Sequence, residues 1–209
     1  MRGSIEAMEI VLEANRRCGK KEYDQALPLC EQVISSYPET GAVPPALRLK
    51  GDILVRLKRR DEARSAYLGA LQKLGTTSRS SRLFRDTRLE LRALLMERLS
   101  TRLRQGEPVP AAEWNELREV CLAIVNEDGW ISGRTRGYLT LAGMYSWKGE
   151  PQQSLAAAQE VMRVCQDYAG SFKSELAWAH LYAGNALQSL GEYEEALGHY
   201  RWITDVAYE

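Results

Sequence analysis

Leu190-Gly191-Glu192-Tyr193-Glu194-Glu195-Ala196-Leu197, near one end of the chain, and Glu22-Tyr23-Asp24-Gln25-Ala26-Leu27, near the other, decide how this sequence folds. Each stretch turns the chain through a few polar residues. It then sets an aromatic side chain three residues before a small one, Ala196 or Ala26, inside an apolar pattern of helical period. The same small residue recurs as Ala63 and Ser154. Twelve residues before each of these four anchors stands another small residue: Ala14, Gly51, Ala142 and Gly184. Four and seven residues after them come Cys30/Val33, Tyr67/Ala70, Ala158/Val161 and Tyr200/Ile203, which share one helical face. Small residues at both offsets let two helices approach closely, so each unit reads as a helix pair.

The turns within the pairs are short: Gly19 to Tyr23, Lys58 to Asp61, Lys148 to Pro151 and Leu190 to Tyr193. Glycine ends the first helix, and an acidic residue or proline opens the second. Pro38 closes the first pair, and Pro44 with Pro45 starts the next. The anchors are spaced by 37, 91 and 42 residues. The long middle gap predicts an atypical hairpin, with a helix from about Ser80 to Arg104, a Gly106/Pro108/Pro110 loop, and a helix from about Ala111 to Asn126. The expected organisation is a single array: repeats over 5–38 and 44–75, the hairpin over 80–126, and repeats over 134–167 and 171–208.

In these residues the sequence resembles the tetratricopeptide repeat (TPR) family. Asn15 through Pro38 and Gly184 through Tyr200 carry the resemblance best. The two inner repeats depart from the pattern, with Arg60 and Pro151 in place of the aromatic residue and Gly75 and Gln166 in place of the closing proline, where the last repeat has Tyr208. The resemblance implies an all-α, right-handed superhelical solenoid of about ten antiparallel helices. It also implies a concave groove lined by the first helices.

Composition agrees with a packed array and excludes several chemistries. Apolar residues make up 44% of the 209-residue chain and charged residues 27%, and no apolar run approaches a membrane span. No dinucleotide fingerprint, phosphate loop, zinc-protease or nucleophile-elbow motif is present, so the sequence reads as non-catalytic, with no cofactor and no metal. Cys18, Cys30, Cys121 and Cys165 sit in apolar helical patterns without a C-x-x-C pair. They read as buried thiols in a reducing compartment, hence a cytoplasmic expectation. His180 and His199 are 19 residues apart and read as packed or surface helix residues rather than ligands. Charge is polarised: residues 1–105 hold 21 Lys/Arg against 13 Asp/Glu, and residues 106–209 hold 7 against 15. Such asymmetry steers an acidic ligand to one half or favours contacts between copies.

The resemblance places one groove row eleven residues before the anchors, at Asn15, Asp52, Gly143 and Asn185. An asparagine amide is donor and acceptor at once and suits a peptide backbone. Arg48 and Arg56 can pair with carboxylates, Trp147 and Gln188 are candidates near the C-terminal groove, and Trp178 and Tyr182 there either meet an apolar or aromatic ligand element or pack between helices. Val11 stands where receptors of C-terminal carboxylates carry a lysine, which argues against a chaperone-tail receptor. Arg79, Arg82, Arg85, Arg88 and Arg92 form a cationic stripe that can meet an anionic partner. Nucleic acid is disfavoured because no stacking aromatics interleave with the arginines. The last helix, with Leu197, Tyr200, Trp202, Ile203 and Val206, leaves an apolar face for self-association or for further repeats. The expected function is a protein-interaction scaffold that takes a peptide segment or partner helix in the groove. The alternative is a ligand- or peptide-sensing regulatory segment of a larger signalling or transcription protein.

Overall fold

The computed structural model describes residues 2–75, 81–127 and 129–207. Arg79, Ser80 and Tyr208, and the side chain of Val206, lie outside the described residues. Among those described, the chain is all helical: α1 (Arg2–Gly19), α2 (Tyr23–Ser36), α3 (Val43–Arg56), α4 (Arg60–Leu74), α5 (Arg82–Arg104), α6 (Ala111–Val125), α7 (Ile131–Lys148), α8 (Pro151–Cys165), α9 (Lys173–Leu190) and α10 (Tyr193–Ala207), with a 3-10 turn at Gln166–Ser171 before α9. It forms two compact units, Met1–Thr101 and Arg102–Glu209, and the division falls inside α5. The fold class read from the sequence, about ten helices in antiparallel pairs, is the one observed.

In the first unit α1 packs on α2 and α3 on α4, while α3 also lies against α1 and α2. The small anchors make this possible. Ala14, Ala26 and Ala63 are fully buried at the crossings, and Ala14, Ala26 and Cys30 share a core with Leu49 and Ile53. Ala7, Val11 and Val33 close on Ala42 and Ala46. The second helix of the second pair is tied to α5 by two ion pairs, Arg60 to Glu97 and Arg98 to Asp61, both at 2.6 Å. Arg60 stands where the outer repeats carry tyrosine, so an exposed ion pair occupies the aromatic position there.

In the second unit α7 packs on α8, α8 on α9 and α9 on α10, with α9 also reaching back to α7 and α6 lying against α7. Gly137 permits the α6–α7 approach, because a Cβ there would meet Val125 Cγ1 at 2.6 Å. Ser154 takes the anchor position and donates a 2.9 Å hydrogen bond to the Ala142 carbonyl twelve residues back, satisfying a buried hydroxyl within the crossing itself. On α10, Tyr193 and Leu197 are exposed while Trp202 and Ile203 are half-buried.

The four intrapair turns share one backbone device, and it differs in part from the sequence expectation. Gly149 and Gly191 adopt left-handed conformations after α7 and α9. In the first two pairs that conformation falls on Lys21 and Lys58, at φ of 65° and 62°. Gly19 lies two residues too early to serve. In each turn the next amide donates five residues back, Glu22 to Arg17, Arg59 to Leu54, Glu150 to Tyr145 and Glu192 to Leu187, closing the helix with a Schellman motif. The motif is therefore fixed by the turn, not by glycine.

Three cysteines, Cys30, Cys121 and Cys165, are buried and Cys18 is half-buried. Burial pushes the Cys30 thiol up to about 12.

Candidate peptide-binding face

The candidate residues of the first helices differ in exposure, with Asn15, Arg56, Trp147, Asn185 and Gln188 exposed, Arg48, Asp52 and Tyr182 half-buried, and Gly143 buried. In the first unit, Asn15 and Arg56 are exposed while Arg48 and Asp52 are half-buried. One turn apart on α3, Arg48 and Asp52 form an ion pair at 3.4 Å. Tyr67 reaches across from α4 and donates its hydroxyl to Asp52 Oδ1 at 2.9 Å. Burial pushes the Asp52 carboxyl above its ordinary range, against the opposing pull of Arg48 and Tyr67. The Tyr67 phenol is pushed up by burial and by the same carboxylate. Arg48 keeps one further donor, since its Nε is buried without a hydrogen-bond partner among the described residues.

In the second unit, Asn185 and Gln188 are exposed on α9 and Tyr182 is half-buried. The Tyr200 hydroxyl, from α10, lies 2.8 Å from Asn185 Oδ1 and 3.1 Å from Gln188 Oε1, so its single proton is shared between two acceptors. With its oxygen accepting from Tyr200, Asn185 keeps its NH₂ as a donor. Trp178 stacks obliquely near Tyr182, with ring centroids 6.1 Å apart and planes tilted by 30°. Trp147 is exposed in the last turn of α7. Gly143, the row position of this pair, is buried and offers no side chain. Beside it, Ser146, Glu150, Ser154, Asn185 and Ser189 line a cavity of about 250 Å³.

Two features of this face were overlooked in the sequence. Eighteen and fourteen residues before the anchors stand Met8 and Leu12 in the first pair, and Trp178 and Tyr182 in the last. Met8, Leu12 and Trp178 are exposed at 39%, 58% and 52%. The two outer repeats thus carry the same series of two apolar residues and an asparagine (Asn15 or Asn185). The signal was the offset itself, which shows only when the positions eighteen and fourteen residues before the anchors are compared between the outer repeats. The second feature is a coupled substitution. Where the small residue is glycine (Gly51, Gly184), the residue four after the anchor is tyrosine; where it is alanine (Ala14, Ala142), that residue is Cys30 or Ala158. A Cβ on Gly51 or Gly184 would lie 2.5 Å from the Tyr67 or Tyr200 ring, so glycine is what lets the hydroxyl reach Asp52 or Asn185.

The arginines of α5 are engaged within the protein. Arg82 pairs with Asp86 at 3.5 Å, the Arg88 guanidinium lies 4.2 Å over the Phe84 ring, and Arg85 and Arg92 also have partners.

Residues 134–209 match the tetratricopeptide repeat family model. No curated protein matches the chain by sequence. Several solved structures share its fold. BtubC (BKLC) from P. vanneervenii superposes with a TM-score of 0.69 at 15% identity, covering 99% of this chain and 82% of that one. MamA from Desulfovibrio magneticus RS-1 gives 0.66 at 14% identity, covering 97% and 95%. A putative kinesin light chain with nearly identical TPR-like repeats from Podosopora anserina gives 0.62 at 14% identity, covering 95% and 93%. Residues 134–209 thus match the tetratricopeptide repeat family model, and the described residues on either side of α5 share the helix-pair fold of the solved structures.

Proposed function

We propose that this chain is a non-catalytic interaction scaffold and that the outward stripe of its first helices takes an extended peptide segment or a partner helix. The observation that carries the proposal is the repeated series Met8–Leu12–Asn15 and Trp178–Tyr182–Asn185. It sets apolar side chains, exposed at Met8, Leu12 and Trp178 and half-buried at Tyr182, beside an asparagine amide at equal offsets in two different repeats. Large apolar groups left in water beside a polar amide mark a surface that buries area on binding. Their polar neighbours match that use. The exposed Asn185, whose oxygen accepts from Tyr200, keeps its NH₂ as a donor for a partner's carbonyl oxygen, and Arg56 adds an exposed cation. No helix among the described residues is long and apolar enough to cross a membrane.

The test is affinity capture from source-cell lysate with the intact chain and with the triple variant Asn15→Ala, Arg48→Glu, Asn185→Ala, checked by circular dichroism for retained helicity. A protein recovered by the intact chain and lost by the folded variant supports groove binding. Equal recovery by both sinks it.

A further inference from the structure

His180 on α9 and His199 on α10 are 19 residues apart in sequence, yet their Nδ1 atoms meet at 2.9 Å across the seam between the two helices. The His180 ring stacks on Trp202 at 4.0 Å with planes 4° apart, which fixes its plane. Glu195, one turn before His199, lines the same cavity of about 290 Å³ as both imidazoles.

The fold does not require imidazoles at this seam. The same two offsets, sixteen before and three after the anchor, hold Ile10 and Leu29 in the first repeat, Leu47 and Ala66 in the second, and Tyr138 and Ala157 in the third. Three repeats close the seam with apolar or aromatic side chains, and the fourth replaces both with nitrogen ligands. A polar pair set into a seam that apolar residues fill elsewhere calls for a chemical reason.

We propose that His180 and His199 form a bidentate site for a late first-row divalent ion, of the nickel and copper class. Two nitrogens held about 2.05 Å from one ion at a right angle lie about 2.9 Å apart, the separation observed, whereas tetrahedral zinc asks for a wider bite of about 3.3 Å. The ion takes the place of the shared proton, displaced from the nitrogen–nitrogen line toward the open cavity. In the neutral pair one ring carries its proton on Nδ1 and the other on Nε2. On binding, the Nδ1 proton moves to that ring's Nε2, so both rings stay neutral and no net proton is released. Burial holds both imidazoles below their ordinary range, helped at His180 by the neighbouring His199 and opposed at His199 by Glu195, which keeps the lone pairs free near neutral pH. Among the described residues no third side-chain ligand converges with them. Water fills the remaining positions, and the Glu195 carboxylate supplies favourable charge from the cavity wall. The bound ion would staple α9 to α10.

The test is calorimetric titration of the tag-free chain with nickel chloride at pH 7.5, against a His180→Leu/His199→Ala variant that carries the side chains of the second repeat and so keeps a seam this fold already uses. The intact chain is expected to bind one ion saturably, melt a few degrees higher with nickel present, and lose Trp202 fluorescence through the stacked ring. The double variant, its helicity unchanged, is expected to lose all three responses. A Trp202→Phe variant should keep the binding and lose most of the quenching. No saturable binding by the intact chain, or equal binding by intact chain and double variant, overturns the proposal.

Discussion

Lys21 and Lys58 hold left-handed backbone conformations that cost an L-residue with a side chain about 1 kcal/mol, while the corresponding positions in the later pairs are Gly149 and Gly191. Lys58→Gly should therefore raise stability by about 0.5–1 kcal/mol, read as a higher urea midpoint with an unchanged slope. A lower midpoint would mean that the lysine side chain contributes more than its backbone strain costs. The histidine seam makes a prediction of opposite character. His180 is held down to about 4 by burial first and by His199 second, and His199 is held down by burial, with the Glu195 carboxylate opposing. A depressed imidazole favours the folded state fully above the unfolded value of about 6.5, and that contribution is lost as pH falls toward 4, because the unfolded chain takes protons the folded pair refuses. Melting temperature should fall across this window in the intact chain. It should fall less in His180→Leu/His199→Ala, and equal slopes would contradict the assignment.

At the scale of the element, helix pairing in this chain has two solutions. Alanine twelve residues before the anchor accompanies Cys30 or Ala158, and glycine accompanies a tyrosine whose ring fills the Cβ space. Gly184→Ala should destabilise by about 1–3 kcal/mol through overpacking against Tyr200, and Tyr200→Ala added to it should recover part of that loss, since the pair then matches Ala142 and Ala158. A double-mutant cycle in chemical denaturation measures the coupling, and additive effects would show that the two side chains do not share one space. This pairing also marks what was legible in advance. The anchors, the turns and the two helices of the atypical stretch could be read because spacing of small residues is a local, repeated signal. The glycine–tyrosine coupling lay in offsets already aligned between repeats, but its cause was not legible, because only the folded chain sets the ring over the glycine. His180 and His199 were read as unrelated because contact across α9 and α10 depends on the crossing of two helices and not on any spacing within one. On α5 the stripe of charge was visible, but its engagement by Asp86, Phe84 and other partners was not.

For the whole molecule, the two halves of the sequence carry opposite charge and the two outer repeats carry the same series of residues, on which the proposed scaffold role rests, and the sequence holds no catalytic motif. The row was placed by the family resemblance, and its members differ in exposure: Asn15 and Asn185 are exposed, Asp52 is half-buried and Gly143 is buried. What they do was less legible. Asp52 is held by Arg48 and Tyr67, and Asn185 by Tyr200, so each row residue shows a partner one polarity more than the other. The central claim, that binding occurs on the first helices, is tested most directly by amide hydrogen exchange of the chain alone and saturated with a partner it captures. New protection is predicted in α1, α3, α7 and α9; protection confined to α2, α4, α8 and α10 would contradict the account.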